Sequence, residues 1–460
     1  MYISYRLQNI IFFMALCLLF VLPVYSQNNE ITGLQCEYQE EPLGMDATTP
    51  RFSWRLSATD NVRGQRQTTY HILVASDQVL LNEGQADVWN SGKVALSQSV
   101  SVLFAGKELE SNRKYYWKVQ VSDKDGNLSN WSHPASFTTG LLHMGDWSGA
   151  WWIQYPDAPK GKHIWFRKTL SVDAPVRSAL IHVASIGYHE LYVNGKKADD
   201  RILAPALTRQ STRVLYVTYD IAELLQTGEN VIAVWQGPGW TLNVFVNLPP
   251  ALRVQLNGWT TDNKKINLSS YDDWRCAISN SENNVQRTRP HYHGGEYIDA
   301  RNYLPDWNRT GFDDTKWEKA VRVDCQPLMC AHSIEPTRII ETIQPVKISD
   351  GNDAYRIDMG KNFTGWVKID MRGLSSGDVV TIRVSDAEKT IQNYSQMSQY
   401  VSNGAEKETF CNRFNYIAGR YITVEGLKRK PELADITGYA LGTDMKRTGH
   451  FSCSNPLFNQ

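Results

Sequence analysis

The sequence predicts an all-β protein built as three consecutive β-sandwich domains, the first fibronectin III-like and the next two jelly-roll-like. Three observations carry this prediction. Stretches such as Tyr70–Ser76 (YHILVAS) and Lys114–Asp123 (KYYWKVQVSD) alternate apolar and polar residues with β-branched and aromatic enrichment, the pattern of half-buried strands. Turn chemistry such as Asp123–Asn127 (DKDGN) and Asn194-Gly195 punctuates the chain at about 8–12 residue intervals. No long run of helical periodicity interrupts this texture.

Residues 1–26 are expected to lie outside the fold. Arg6 gives a weakly basic start, Ile10 to Leu22 is uncharged and apolar, and Val24-Tyr25-Ser26 offers small residues at the cleavage-sensing positions. This is a secretory signal cut after Ser26. The run is short for a membrane span, and Cys17, mid-run after bulky Leu16, makes no lipid anchor. An exported chain without a membrane span is expected, periplasmic or extracellular.

The first domain, 27–144, contains Pro50–Leu56 (PRFSWRL), the two alternating strands above, and a closing strand at Ala135–Thr139. A sandwich of about a hundred residues fits. The second, 145–333, opens with Gly145–Ile153 (GDWSGAWWI). It carries a tight hairpin at Asn194-Gly195 and two acidic turns that each lead to a tryptophan, Trp274 and Trp317. The third, 334–445, holds the alternating Trp366–Gly373 and Val379–Asp386. Residues 446–460 form a linker and a helix start. There Ser454 or Asn455 caps the free N–H groups and Pro456 occupies the first turn.

Composition excludes some partners. The 48 basic and 48 acidic residues cancel, so neither nucleic acid nor an anionic membrane surface is expected. Beyond the signal, six cysteines are too scattered for a disulfide framework. Cys325 and Cys330 are close enough to bridge, but with His332 they match no familiar zinc spacing.

Several ordered motifs carry a resemblance. Arg338–Ile348 (RIIETIQPVKI), Tyr355–Gly373 (YRIDMGKNFTGWVKIDMRG), Gly377–Glu388 (GDVVTIRVSDAE), Phe414–Leu427 (FNYIAGRYITVEGL) and Gly449–Asn459 (GHFSCSNPLFN) resemble the bacterial α-L-rhamnosidases of glycoside hydrolase family 78. So do Glu190–Lys196, Arg213–Ile221, Gly228–Trp240 and Gly294–Arg301 in the second domain. The resemblance covers essentially all of the mature chain. It implies an exported enzyme that removes terminal α-L-rhamnose from glycans with inversion. It also implies that the chemistry belongs to an (α/α)6 helical barrel, encoded separately or missing, whose first helix begins at the last motif. On this reading the chain holds accessory β domains and is inactive alone. Two alternatives stay open: a rhamnose- or carbohydrate-binding protein, and a truncated gene fragment without a role of its own.

No catalytic residue is assigned. Glycoside hydrolysis needs two carboxyl groups roughly 5–9.5 Å apart. The available acidic pairs are Glu296 with Asp299, Asp313 with Asp314, and Asp386 with Glu388, for each of which turn or salt-bridge roles are the ordinary explanation. Glu296 stands out because Gly294-Gly295 permits close backbone approach, with His291, Tyr292, His293 and Tyr297 around it. The two histidines have no third metal ligand at a persuasive spacing. The candidate carbohydrate-binding residues are Asn194, Asp200, Trp240 and Glu296. No cofactor is required, but the family's second domain sometimes uses calcium, for which Asn194, Asp199 and Asp200 are the candidate ligands. Turn and core roles explain these residue types without a ligand. Met359–Val367 (MGKNFTGWV) is a candidate docking surface.

Overall fold

The structure is a computed structural model that describes residues 30–57, 63–147, 149–157, 159–239, 249–283, 294–351 and 353–459. The expected signal, Trp240, His291, Tyr292 and His293 lie outside the described residues. Among those described there is no α-helix, only short 3-10 turns between strands, so the all-β expectation holds. No helix among them is long and apolar enough to cross a membrane.

The chain divides into two units, Met1–Pro42 with Ala47–Thr138, and Leu43–Asp46 with Thr139–Gln460. The first unit is a two-sheet sandwich. One sheet orders Glu30–Cys36, Arg51–Ser57 and Val102–Leu103; in the other Lys114–Asp123 lies between Gln67–Ala75 and Ala135–Thr139. The alternation seen in Lys114–Asp123 is a packing alternation: Tyr115, Trp117, Val119 and Val121 are buried. Trp117 meets Phe52 at 4.5 Å between ring centroids, inside an apolar core of Phe52, Ile72 and Phe137.

The second unit contains both later sandwiches, and they share a sheet. A seven-stranded sheet centred on Val176–Ile186 and Ala251–Thr260 faces strands Tyr188–Val193, Gly228–Gly237, Lys162–Val172 and Arg275–Asn283. Phe166, Ile181, Val183, Val234, Val254 and Trp274 fill the space between them. Burying such side chains contributes about 1.5–3 kcal/mol each. The second of these sheets continues: Arg275–Asn283 pairs with Glu296–Asp299, which pairs in parallel with Met397–Val401. From there it runs through Val379–Ser385, Ile417–Glu425, Ala354–Arg372 and Ile436–Thr443, making 15 strands among the described residues. The third core, with Ile357, Val367, Ile369, Val384, Phe410, Ile422 and Val424, packs on this continuation.

Two glycines permit close approaches that any side chain would obstruct. A Cβ on Gly295 would run into the carbonyl oxygen of Met397, so glycine is what lets the parallel junction close. A Cβ on Gly365 would meet the carbonyl oxygen of Tyr439 in the same way. The surrounding Met359, Phe363 and Trp366 are buried in the chain's own sandwich, and Trp366 Nε1 donates to Asn415 O at 2.8 Å. At the other end of the unit, Asn455 is the residue that caps the last turn, its Oδ1 accepting from Leu457 N at 3.0 Å. That turn, Pro456–Asn459, is 3-10 and exposed.

Candidate functional site

The junction between the two sandwiches forms a half-open pocket of about 370 Å3. Glu296 lies at its heart, 1 % exposed. Its Oε2 accepts from Arg413 N at 2.8 Å and its Oε1 from Phe414 N, so a carboxylate from one sandwich holds the loop of the other. Burial pushes the Glu296 carboxyl up to about 7, against the pull of the Phe414, Arg413 and Asn415 amides and of the Arg413 charge.

Beside it runs an ion network. Glu190, 5 % exposed, pairs with Arg413 Nη1 and with Lys197 Nζ at 3.0 Å, and accepts from Tyr192 OH at 2.7 Å. Burial opposes the ionised form, yet the Arg413 and Lys197 charges hold the Glu190 carboxyl down at about 2. The Arg413 guanidinium also lies 4.1 Å from the centroid of the Trp235 ring. Trp235 in turn meets Trp165 edge-on at 5.7 Å and Phe414 at 6.1 Å, within an aromatic cluster that includes Trp307 and Trp317. Burial pushes the Cys411 thiol up to about 12, so it lines the cavity as a neutral group.

The pairing of Lys162–Val172 with Arg275–Asn283 shifts register between Lys162 and Ile164. Such a bulge re-aims side chains. Ser281 N and the Ser279 hydroxyl bond within it at 3.2 Å, and Asn280 lines the cavity.

The residues singled out from sequence are dispersed. Asn194 sits at φ 52 in the hairpin turn. Its Nδ2 donates to Leu224 O at 3.0 Å and Asn230 Oδ1 at 2.8 Å, while its Oδ1 accepts from Val231 N at 2.9 Å. Asp199 accepts from Arg201 N and pairs with Arg201 Nε at 2.7 Å; burial raises its pKa. Asp200 is exposed and pairs with Arg338 at 2.8 Å. Calcium needs six to eight oxygens converging on one point. These three side chains give their oxygens to protein donors instead, and no cluster of three metal-binding side chains is present among the described residues. The fit to calcium is poor. Trp240, the remaining candidate, is outside the described residues.

Two of the three acidic pairs are likewise committed, and the third, Asp386 with Glu388, is exposed. Asp299 holds Arg301 through two bonds of 2.9 and 2.8 Å, which lower its pKa. Asp313 caps Thr315 and Asp314 pairs with Arg167 at 2.5 Å. Cys325 and Cys330 are free thiols. Burial pushes the nearby His332 down to about 4. Sequence reasoning missed Trp235, Asn280, Glu190 and Arg413, which no local pattern connects.

Comparison with known proteins bears on the whole chain. Three family models match in succession: a "Rha78A-like, N-terminal immunoglobulin domain" over residues 31–143, an "Alpha-L-rhamnosidase N-terminal domain" over 174–341, and a "Bacterial alpha-L-rhamnosidase concanavalin-like domain" over 349–442. The immunoglobulin description and the fibronectin III expectation name the same two-sheet architecture. An α-L-rhamnosidase of Formosa agariphila is 31 % identical over 92 % of this chain and 48 % of its own length. The solved α-L-rhamnosidase of Dictyoglumus thermophilum superposes with a TM-score of 0.88 at 32 % identity, over 94 % of this chain and 51 % of that one. The Streptomyces avermitilis α-L-rhamnosidase, solved with L-rhamnose, shares the fold at a TM-score of 0.80 and 22 % identity, over 94 % and 59 %. The chain thus spans about half the length of the Formosa agariphila relatives it matches. With three domain models matched in order along one chain, this protein belongs to the bacterial α-L-rhamnosidase family, of which it carries the immunoglobulin-like, N-terminal and concanavalin-like β domains.

Proposed function

We propose that this chain supplies the accessory β-domain portion of an exported α-L-rhamnosidase, and that it does not hydrolyse rhamnosides by itself. Its partners are then rhamnose-containing glycans and a helical catalytic domain that provides the acid and the base. The observation that carries the second clause is the state of the carboxyl groups. An inverting or retaining glycosidase needs a protonated acid and a second carboxylate, both facing the same bond. Glu296, with a carboxyl poised near neutrality, resembles an acid by this criterion. Both its oxygens, however, are occupied by backbone amides, and its neighbour Asp299 is locked to Arg301. Glu190 is neutralised by Arg413 and Lys197. None of these offers the free pair that the reaction requires.

The test is release of chromophore from an aryl α-L-rhamnoside by the purified chain, against a mock purification and with calcium or a chelator added. No turnover in any condition is the expected result. Turnover that disappears in Glu296→Gln would overturn the proposal and place the acid at the junction.

A further inference from the structure

Arg413 is fixed at three points and open along one edge. Its guanidinium lies 4.1 Å from the centroid of the Trp235 ring, its Nη1 bonds Glu190 and the Tyr192 hydroxyl, and its backbone amide is held by Glu296. Nε and Nη2 make no bond among the described residues, and neither is shut off from solvent. The side chain is 36 % exposed and lines the half-open pocket at the junction. A guanidinium edge carries two N–H groups that match the two oxygens of a carboxylate.

Charge points the same way. Among the lining side chains Arg413 is the one cation and Glu296 the one acid, and Glu296 turns both oxygens to the Arg413 and Phe414 amides. Glu190 does not cancel the network beside it, because this one carboxylate stands between two cations, Arg413 and Lys197. One positive charge is left over.

We propose that the junction pocket binds a small monocarboxylate, held side-on by Arg413 Nε and Nη2. A neutral ligand would leave the surplus charge unmatched, and a dianion would bring more charge than one guanidinium answers. Because Trp235, Glu190 and Tyr192 already hold the guanidinium, little side-chain freedom is lost on binding. The volume, about 370 Å3, lies near the lower end of the ~300–1,000 Å3 typical of small-molecule sites, so a carboxylate on a single ring is accommodated. Tyr303, 47 % exposed, gives such a ring an aromatic face to pack on. A free carboxylic acid and a uronic acid unit of a glycan share this chemistry, and the test separates them.

The purified chain, labelled at its arginine side-chain nitrogens, is titrated with acetate, D-glucuronate, inorganic phosphate and D-glucose in chloride-free buffer. The titrations are run at pH 6, where Glu296, pushed up to about 7 by burial, keeps its proton. The Arg413 Nε resonance is assigned by its loss in Arg413→Lys. Both carboxylates are expected to shift it saturably, glucuronate at the lower concentration, and D-glucose to leave it in place. Arg413→Lys keeps the charge towards Glu190 but lacks the two-donor edge, so calorimetry should show glucuronate binding at least about tenfold more weakly. Calorimetry on the unaltered chain needs no variant to fold, and no saturable heat with either carboxylate would overturn the proposal. So would undiminished affinity in Arg413→Lys, or tighter binding of phosphate or D-glucose than of glucuronate. Equal affinity for acetate and glucuronate would support the anion site and make the bare carboxylate its ligand. The site does not rest on the α-L-rhamnosidase reading, which the chromogenic rhamnoside tests separately.

Discussion

Replacing Glu296 by glutamine should remove the effect of pH on the junction. The carboxyl is buried, and its pKa rises from an ordinary 4.5 to about 7. Between those values the unfolded chain has released this proton and the folded chain still holds it. Unfolding therefore releases a proton, and rising pH favours unfolding. The contribution of a raised carboxyl is full below pH 4.5 and lost as pH climbs to 7. The difference amounts to about 3 kcal/mol. Glutamine has the same shape and no proton to lose. Like the protonated acid, it leaves one oxygen to accept from one of the two amides, of Arg413 or Phe414, and sets a donor group against the other amide. At pH 4 the two chains should thus be of similar stability; at pH 8 Glu296→Gln should be the more stable by about 3 kcal/mol.

Urea unfolding of both chains across this range is the assay. With a slope of ~3 kcal/mol/M the midpoints should separate by about 1 M at the alkaline end. Comparing the two chains cancels every other titrating group, including the nearby Glu190 and Arg413. A constant gap between midpoints would refute the reasoning. A wild-type chain that gained on the variant with rising pH would invert it, showing that the amides and the Arg413 charge outweigh burial and that Glu296 is ionised throughout.

Three further outcomes test other parts of the unit. Gly295→Ala should cost about 1–3 kcal/mol, because the new Cβ meets Met397 O; hydrogen exchange should show lost protection in Glu296–Asp299 while the first unit is unaffected. Asn194→Asp should lower the melting temperature, by about 1–3 kcal/mol of stability, since a carboxylate then faces Leu224 O and Asn230 Oδ1. Added calcium should not restore it, and recovery would identify a calcium ligand after all. His163 is buried between the Ser281 hydroxyl at 2.8 Å and Asn283 Oδ1 at 2.7 Å, and burial pushes it down to about 3. For a depressed histidine the stabilisation is present above about 6.5 and lost as pH falls, so His163→Gln should flatten the acid limb by about 2 kcal/mol between pH 7 and 5. An acid limb of unchanged slope in the urea midpoints would count against it.

What the sequence made legible was local. The alternation in Lys114–Asp123 became, as far as Val121, an alternation of buried and partly exposed side chains because strand periodicity needs no distant partner. Asn194-Gly195 turned a hairpin because φ 52 and φ 84 suit those two residues. Trp274, marked by its acidic turn, is fully buried and donates to Ser269 O at 2.9 Å, a bond made within five residues. Glu296 was visible for a similar reason: Gly294-Gly295 announced a close approach, though not what approaches.

The junction lay beyond that horizon. Glu296 and the amide of Arg413 are 117 residues apart, and the groups that hold the carboxylate are backbone N–H groups, which carry no residue identity to read. Trp235 sits inside an apolar strand, where a core role accounts for it. Its ring is set against Glu190 and Trp165 of the two bordering strands, partners that the strand itself does not announce. Asn280 lines the cavity beside a register shift between two strands more than a hundred residues apart in sequence. A group left unsatisfied is a property of the closed assembly, since any polar side chain is satisfied by water until the neighbours arrive. Motif matching therefore finds the domains, whereas the hold of the Glu296 carboxyl on the amides of Arg413 and Phe414 exists only once the two sandwiches have joined their sheet.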